Sequence, residues 1–232
     1  TIKKFKSMQD LRFCMFKYQN IEFDYLNHDC FKIKFGDKII YTDPFEISGG
    51  EKADYITVSH EHFDHLSLND IRKVSKPETI IVASKNCEAK IKNVNVRETR
   101  FLRPGETADY GSIKFTATPA YNINKFRAPG QPFHPKQYEG VGYIIQVGNV
   151  RIYHAGDTDN IPEIASYTPI DVALLPVSGT YVMTADEAVE MVKIVRPKVA
   201  IPMHYGSIVG STSDAKRFKE KASGYTEVVI LK

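Results

Sequence analysis

The chain has 232 residues, enough to bury a sizeable core in one large domain or two small ones. Hydrophobic residues make up 42% and charged residues 25% of it, which is typical of a globular protein. The net charge of +3 is too small to indicate nucleic acid binding. No apolar run approaches the ~20 residues of a membrane-spanning helix. No signal peptide is visible, so we expect a cytoplasmic protein, and an exported form stays open because the chain starts at Thr1 without Met.

Short strands are predicted in the first part of the chain, where apolar and polar residues alternate. A capping box from Ser67 to Asp70 predicts a short helix with the sequence LNDIRKV, and KNCEAKI (85–91) predicts another. A turn at Gly36-Asp37 divides the second strand region. The predicted strand regions are 21–26, 30–45, 53–60 and 78–84.

More strands are predicted in the second part, with Gly148-Asn149 as a hairpin turn between two of them. Thr184 and Glu187 form a capping box for a helix over 185–195, and a further helix is predicted over 213–222. No linker is apparent, so we expect a single α/β layered domain (1–232) with helices outside and residues 1–20 as an N-terminal extension. The predicted strands are 112–120, 140–148, 150–157, 171–177, 198–204 and 227–232.

Neither a helix nor a strand is predicted for the long loop over residues 121–140. Residues 121–140 contain three prolines and two glycines and are longer than the ~12–15 residues of most unstructured loops, which favours a functional loop. The three cysteines, Cys14, Cys30 and Cys87, are too widely spaced for a disulfide framework or a CxxC metal site. We expect them to be free thiols.

The segment SHEHFDH (59–65) holds three of the seven histidines of the chain. It follows an apolar strand, and alternate residues on an extended segment point the same way, so His60 and His62 can hold one ion. Asp64 and His65 come after the chain turns and can face a second ion. Imidazole and carboxylate ligands suit Zn, Fe or Mn. The segment therefore predicts a metal site.

The spacing His60-x-His62-x-Asp64-His65 resembles the HxHxDH signature of the metallo-β-lactamase superfamily. The segments IIYTDPF, HAGDT and IPMHYG also resemble segments of this superfamily. LNHDCF, with Asn27 in place of a glycine, and LLPVSGTYVMTADEA resemble one branch of it, which contains L-ascorbate-6-phosphate lactonases and N-acyl-phosphatidylethanolamine phospholipases D. The resemblance implies a four-layer αββα sandwich. It also implies that Asp157 bridges two metals, that His204 binds the second metal and that Asp43 holds a ligand imidazole.

The sequence departs from this family where the third histidine of the first metal is expected. The context TPAYN has Asn122 at that position. Three interpretations stay open: Asn122 coordinates through its amide oxygen, His134 from the same loop fills the position, or the first site is weak. We favour His134, because no other unassigned histidine lies in that loop.

The two remaining histidines and the charged loop residues receive weaker assignments. We expect His28, in a turn-like NHD segment, to be a surface residue. The alternative is that it orients a metal ligand or lies at the rim of the pocket. His154 is expected to be structural or to contact a metal ligand without binding the metal itself. Substrate groups are proposed to meet cations and aromatic residues of the long loop: Lys125, Arg127, Lys136, Tyr121, Phe126, Phe133 and Tyr138.

The resemblance implies a metal-dependent hydrolase in which two ions share a hydroxide that attacks a carbonyl or phosphorus centre. Asp64 would bind the second ion and orient the hydroxide. We expect a divalent transition metal, Zn before Mn or Fe, and one or two ions. The substrate would be a small-molecule phosphoester, lactone or amide, with no nucleic acid partner and an open oligomeric state. The alternative is a non-catalytic metal protein or sensor.

Overall fold

The computed structural model describes residues 15–231, and two seven-stranded sheets dominate it. The first sheet contains, in spatial order, β1 (Phe16–Tyr18), β2 (Ile21–Asn27), β3 (Cys30–Phe35), β4 (Lys38–Thr42), β5 (Tyr55–Val58), β6 (Ile80–Ser84) and β7 (Glu98–Leu102). The second contains β8 (Thr107–Asp109), β9 (Ile113–Pro119), β12 (Val141–Val147), β13 (Val150–His154), β14 (Val172–Pro176), β15 (Val199–Met203) and β16 (Glu227–Val228). A separate hairpin joins β10 (Phe126–Ala128) to β11 (Gln131–Pro132).

Each sheet has one antiparallel half and one parallel half. Strands β1 to β4 are antiparallel neighbours, and β4 to β7 run parallel. In the second sheet β8, β9, β12 and β13 are antiparallel, and β13 to β16 run parallel. Parallel strands bring their carboxyl ends to one edge, which is where ligands bind in open α/β sheets.

The inner faces of the two sheets form the main core. Ile80 and Val82 of β6 belong to the same buried cluster as residues of the second sheet, whereas Ile81 and Ala83 face the other side. The hydroxyl of Tyr143 crosses between the sheets and donates to the Val58 and Val82 carbonyl oxygens at 3.0 and 3.2 Å. This alternation follows from the two-residue period of a strand.

Three helices cover the outer faces: α1 (Leu68–Val74), α2 (Ala185–Val195) and α3 (Thr212–Ala222). Helix α1 packs through Ile71 and Val74 on the outside of the first sheet. Helices α2 and α3 pack on the second sheet through residues such as Val192 and Phe218. The predicted α/β class and the layer order αββα are confirmed. None of the helices in the described part of the chain is long and apolar enough to cross a membrane.

Several predicted elements differ from the structure. The segment 85–91 forms only a 3-10 turn, Lys85–Cys87, and the last predicted strand shrinks to Glu227–Val228. Strands β7 and β8 were not predicted. Of the predicted N-terminal extension, residues 1–14, with Cys14, lie outside the described residues, and Phe16–Tyr18 pair with β2. Cys30 and Cys87 are buried free thiols.

The long loop, residues 121–140, has regular structure rather than being an unstructured segment. Besides the β10–β11 hairpin, it has a 3-10 turn at Lys136–Tyr138. Backbone bonds close its base, with the Asn122 N–H donating to the His134 carbonyl at 2.8 Å and Phe133 N–H to the Lys125 carbonyl at 3.1 Å. The Tyr138 hydroxyl donates to the Glu61 carboxylate at 2.7 Å. The loop is therefore fastened to the histidine-rich segment.

The capping box of α2 provides a first stability prediction. The Thr184 hydroxyl accepts from the Glu187 N–H at 3.2 Å, and the Glu187 carboxylate accepts from the Thr184 N–H at 2.7 Å. Thr184→Ala should lower the free energy of unfolding by about 1 kcal/mol, because an N-terminal backbone donor of the helix loses its acceptor. Urea unfolding at fixed metal concentration measures the change. Thr184→Ser should restore most of it, and equal losses in both variants would contradict this assignment.

Candidate metal centre

The candidate ligands lie just after the ends of strands, at one edge of the sandwich. His60 follows β5, Asp157 follows β13 and His204 follows β15 directly. The turn before Asp157 requires Gly156, which has φ +61°, and an added Cβ would lie 2.9 Å from the Val141 carbonyl oxygen. His204 itself has φ +60°, in the left-handed region that non-glycine residues rarely adopt. Such strain is typical of functional sites.

Three imidazoles form the first cluster. His60 Nε2 lies 3.0 Å from His62 Nδ1, and His134 Nε2 lies 3.2 Å from the same nitrogen. His60 and His134 are almost fully buried, and His62 is half-buried. The structure thus brings His134 from the long loop to the position that the sequence left open between His134 and Asn122.

Asp157 connects this cluster to a second one. Its Oδ2 lies 3.4 Å from His134 Nε2, and its Oδ1 lies 3.3 Å from both His65 Nε2 and His204 Nε2. Asp64 Oδ2 is 3.8 Å from His65 Nε2. All seven residues predicted as ligands are therefore neighbours, although 72 residues separate His62 from His134.

The spacing of these atoms fits metal coordination. Ligands at the ~2.0–2.2 Å distances of zinc sites lie ~3.4 Å apart around a tetrahedral ion. The distances of 3.3–3.4 Å around Asp157 match this value and exceed those of charged hydrogen bonds. Within residues 15–231, the buried atoms His65 Nε2, His204 Nε2 and Asp157 Oδ1 have no hydrogen-bond partner. These three atoms are therefore available to bind a metal ion, and they are among several buried polar atoms without a partner in that part of the chain.

In His65, His204 and His60, the ring nitrogen opposite the cluster is anchored. His65 Nδ1 donates to Asp43 Oδ2 at 2.8 Å, as the family resemblance predicts for Asp43. His204 Nδ1 lies 3.0 Å from Ser178 Oγ, and His60 Nδ1 lies 3.0 Å from Ser59 Oγ. Such contacts fix the tautomer so that Nε2 presents its lone pair to the ion.

Asn122 performs this anchoring role for His134. Its Oδ1 accepts from the backbone N–H of His134 at 2.8 Å and from His134 Nδ1 at 3.0 Å, while its Nδ2 donates to the Tyr181 carbonyl at 2.8 Å. Both donors occupy the amide oxygen, so it does not face the cluster as a ligand. The geometry favours His134 as the third ligand of the first position.

Electrostatics keep Asp157 and His134 in the forms that metal binding needs. Burial lowers the pKa values of His65 and His204, but the Asp157 carboxylate outweighs burial and raises them, so both rings must lose a proton when an ion binds. Burial would raise the pKa of the Asp157 carboxyl, but the His204 and His65 rings outweigh burial and hold that pKa well below its usual range. Burial lowers the pKa of His134 to about 4. At neutral pH Asp157 is therefore ionised and His134 is neutral.

The prediction that His28 is a surface residue is wrong, because its side chain is completely buried beside the second cluster. The hairpin between β2 and β3 places it there, at the same sheet edge as the end of β4. His154 is also buried, and its Nε2 donates to the Asp29 carbonyl at 2.9 Å. Asp29, which the sequence did not single out, lies fully buried with Oδ2 3.8 Å from His65 Nδ1.

A pocket of about 340 Å³ opens directly on the candidate ligands His62, Asp64, His134 and Asp157. Phe63, Phe133, Tyr181 and Ile208 form its remaining wall. A neighbouring groove shares His62 and Phe133 and contains Arg127. The other two loop cations are held elsewhere: Lys125 lies 2.7 Å from Glu187 and Lys136 lies 2.6 Å from Glu163.

Comparison with known proteins agrees with the geometry. The family model described as a beta-lactamase superfamily domain matches residues 22–204. The chain belongs to the metallo-β-lactamase-fold superfamily. A relative from Thermoplasma acidophilum, named a UPF0173 metal-dependent hydrolase, is 33% identical over 226 residues, which cover 92% of this chain and 96% of the relative. A relative of the same name from Pyrococcus horikoshii is 32% identical over 232 residues, covering 91% and 96%.

Solved structures share the fold. A protein from Parabacteroides distasonis, described as a candidate metal-dependent hydrolase, is 30% identical with a TM-score of 0.79, and the match covers 95% of this chain and 98% of that one. A metallo hydrolase from Ignicoccus hospitalis has a TM-score of 0.72 at 22% identity, covering 90% and 94%. The superfamily predicted from the motif is confirmed, and the narrower branch stays a prediction.

Proposed function

We propose that the protein is a metal-dependent hydrolase that holds two divalent transition-metal ions. The observation that carries this proposal is the position of Asp157, whose two oxygens face the two imidazole clusters at 3.3–3.4 Å. His60, His62 and His134 would hold the first ion. Asp64, His65 and His204 would hold the second, with Asp157 shared. When bound, the ions would lower the pKa of a shared water and polarise the substrate oxygen.

The residues of the chain position the attacking water and the ligand imidazoles, and they accept the proton that the water releases. Asp64 borders the pocket with its side chain partly exposed, so its free carboxylate oxygen can orient the attacking water and accept a proton. Asp43 and Ser59 hold His65 and His60, and Asn122 holds His134. We propose zinc for the first position, because three imidazoles and an open place are a common catalytic zinc set.

The pocket favours a small substrate with an apolar portion. No Lys or Arg lines the pocket within residues 15–231, and four apolar or aromatic side chains do. Arg127, in the adjoining groove, has no carboxylate partner in that part of the chain and lies 5.6 Å from the Phe133 ring. We propose that the substrate places the bond to be hydrolysed, in a lactone, amide or phosphoester, at the ions. An apolar group of the substrate would contact the pocket wall, and an anionic group would point toward Arg127.

Metal analysis combined with hydrolysis assays tests this proposal. Purified protein should contain a first-row transition metal, and it should hydrolyse members of a panel of lactones, amides and phosphodiesters. Removal of the metal by a chelator should abolish turnover, and re-addition should restore it. Metal-loaded protein that turns over no member of the panel would favour the alternative, a non-catalytic metal protein or sensor.

Phe133 provides a prediction about the apolar wall. Phe133→Ala should raise KM for an apolar substrate by ~10–100-fold with little change in kcat, because the ring offers binding without touching the reacting atoms. Steady-state kinetics measures both constants. Phe126→Ala is the matched control, since Phe126 lies on the same hairpin, exposed and outside the pocket. A fall in kcat with KM unchanged would contradict this role.

A further inference from the structure

His28 is a buried imidazole that the set of ligands above does not use. Its side chain has no solvent exposure, and neither ring nitrogen makes a hydrogen bond within residues 15–231. A buried polar group without a partner costs free energy, and native structures keep few of them. The two ring nitrogens of His28 are therefore available to bind a group other than the surrounding protein atoms.

The ring faces the second cluster. His28 Nε2 lies 3.3 Å from Asp64 Oδ2, and the ring centre lies 4.1 Å from that of His204. One donor atom each from His28, Asp64, His65 and His204 can be chosen so that all lie within 4.8 Å of one another. The 3.3 Å separation equals that between Asp157 and its imidazole neighbours, and it exceeds the ~2.7–2.9 Å of a charged N–H···O bond.

The backbone holds His28 in this place. Its φ of +51° lies in the left-handed region, which is uncommon for a histidine and carries strain. Its carbonyl oxygen accepts from the Tyr25 hydroxyl at 2.8 Å and from the His204 N–H at 2.9 Å. The second of these bonds ties the positions of the two histidines together, so the residue is fixed although its ring is not anchored.

We propose that His28 Nε2 is an additional protein ligand of the second metal ion, an inference that rests on the proposed two-ion site. The second position would then have donors from His28, Asp64, His65, His204 and Asp157. Catalytic zinc sites usually supply three protein ligands. The second position should therefore favour a six-coordinate ion such as Mn²⁺ or Fe²⁺ more than the first does, and the substrate oxygen should bind at the first.

Two substitutions remove the imidazole without a backbone clash. Glycine adopts positive φ readily, and asparagine tolerates it, so His28→Gly and His28→Asn can keep the hairpin conformation. His154→Gln is the matched control: it changes a buried histidine near the site whose ring nitrogen contacts the Asp29 carbonyl instead of the cluster. Circular dichroism and gel filtration check the folding of each variant.

Titration of metal-free protein with Mn²⁺, Zn²⁺ and Co²⁺ gives the stepwise affinities. In wild type we expect two ions per chain. Both His28 variants should lose at least ~100-fold in second-site metal affinity. This exceeds the ~10–100-fold loss that is typical when a residue that only hydrogen-bonds a metal ligand is replaced. Their ratio of Mn²⁺ to Zn²⁺ affinity should also fall. Proton NMR of the Co²⁺-loaded protein should show one shifted exchangeable imidazole resonance fewer in each variant than in wild type.

The outcomes separate this inference from the proposed function. Wild type that binds no metal overturns both. Wild type with two ions and His28 variants with unchanged second-site affinity overturn the inference alone. A loss below 100-fold with the shifted resonance retained also overturns it, because His28 would then act as a hydrogen-bond partner of Asp64. A similar loss in His154→Gln would attribute the effect to general disturbance of the site and count against His28 as a ligand.

Discussion

Asp157→Asn should empty at least one metal position and reduce hydrolysis by ~10³-fold or more. Asp157 is the only residue of the cluster with oxygens 3.3–3.4 Å from imidazoles of both clusters within residues 15–231. The amide keeps the shape of the side chain but replaces one ligand oxygen by an N–H₂ group and removes a charge. Several kcal/mol of transition-state stabilisation by the ions is then lost, at ~1.4 kcal/mol for each tenfold in rate.

Elemental analysis and single-substrate kinetics measure the effect of this change. Asp109→Asn is the control: Asp109 is an exposed carboxylate paired with Lys114 at 2.8 Å, on a strand far from the ligands in the sheet order. It should leave metal content and rate unchanged. If Asp157→Asn retained two ions per chain and nearly full activity, Asp157 would not bridge them.

His134→Ala should remove the first metal ion while the second stays bound, and should cut turnover by ~10²-fold or more. His134 is one of three imidazoles in the first cluster, and the two that remain form an incomplete set. Hydrogen exchange should become faster across residues 121–140, because the ligand also fastens the loop over the pocket. Metal titration and hydrogen exchange on the same sample test both effects.

Asn122 variants separate the ligand from its support. Asn122→Ala should weaken first-site affinity by ~10–100-fold, less than His134→Ala, since it removes only the acceptor of His134 Nδ1. Asn122→Asp keeps that acceptor and loses the donor to the Tyr181 carbonyl, so its effect should be smaller still. A larger metal loss in Asn122→Ala than in His134→Ala would mean that Asn122 is the ligand.

The parts of the site that the sequence predicted are those in which local spacing or family resemblance carries information. His60, His62, Asp64 and His65 lie in one short segment after a strand, so their grouping follows from chain geometry. Asp157 and His204 are distant in sequence and came only from the resemblance. Helix α2 was predicted with its observed bounds, Ala185–Val195, because its capping box marks the start and Pro197, which cannot continue a helix, follows the end.

Other features depend on tertiary contacts that a single sequence does not display. Edge strands such as β7 and β8 are half-exposed, with weak alternation, and their partners determine their conformation. His28 has the local signals of a surface turn, but its hairpin ends at the edge where the two sheets meet. The anchoring of His134 by Asn122 joins positions 12 residues apart, and no periodic pattern reports such a contact.

A crystal structure with anomalous data at the Mn, Fe and Zn edges tests the central claim most directly. Two anomalous peaks are expected, one among His60, His62 and His134 and the other among Asp64, His65 and His204, with an Asp157 oxygen near each. Ligand distances should be ~2.0–2.2 Å. A single peak, or an ordered His134 ring turned away from the metal, would contradict the proposed two-ion centre.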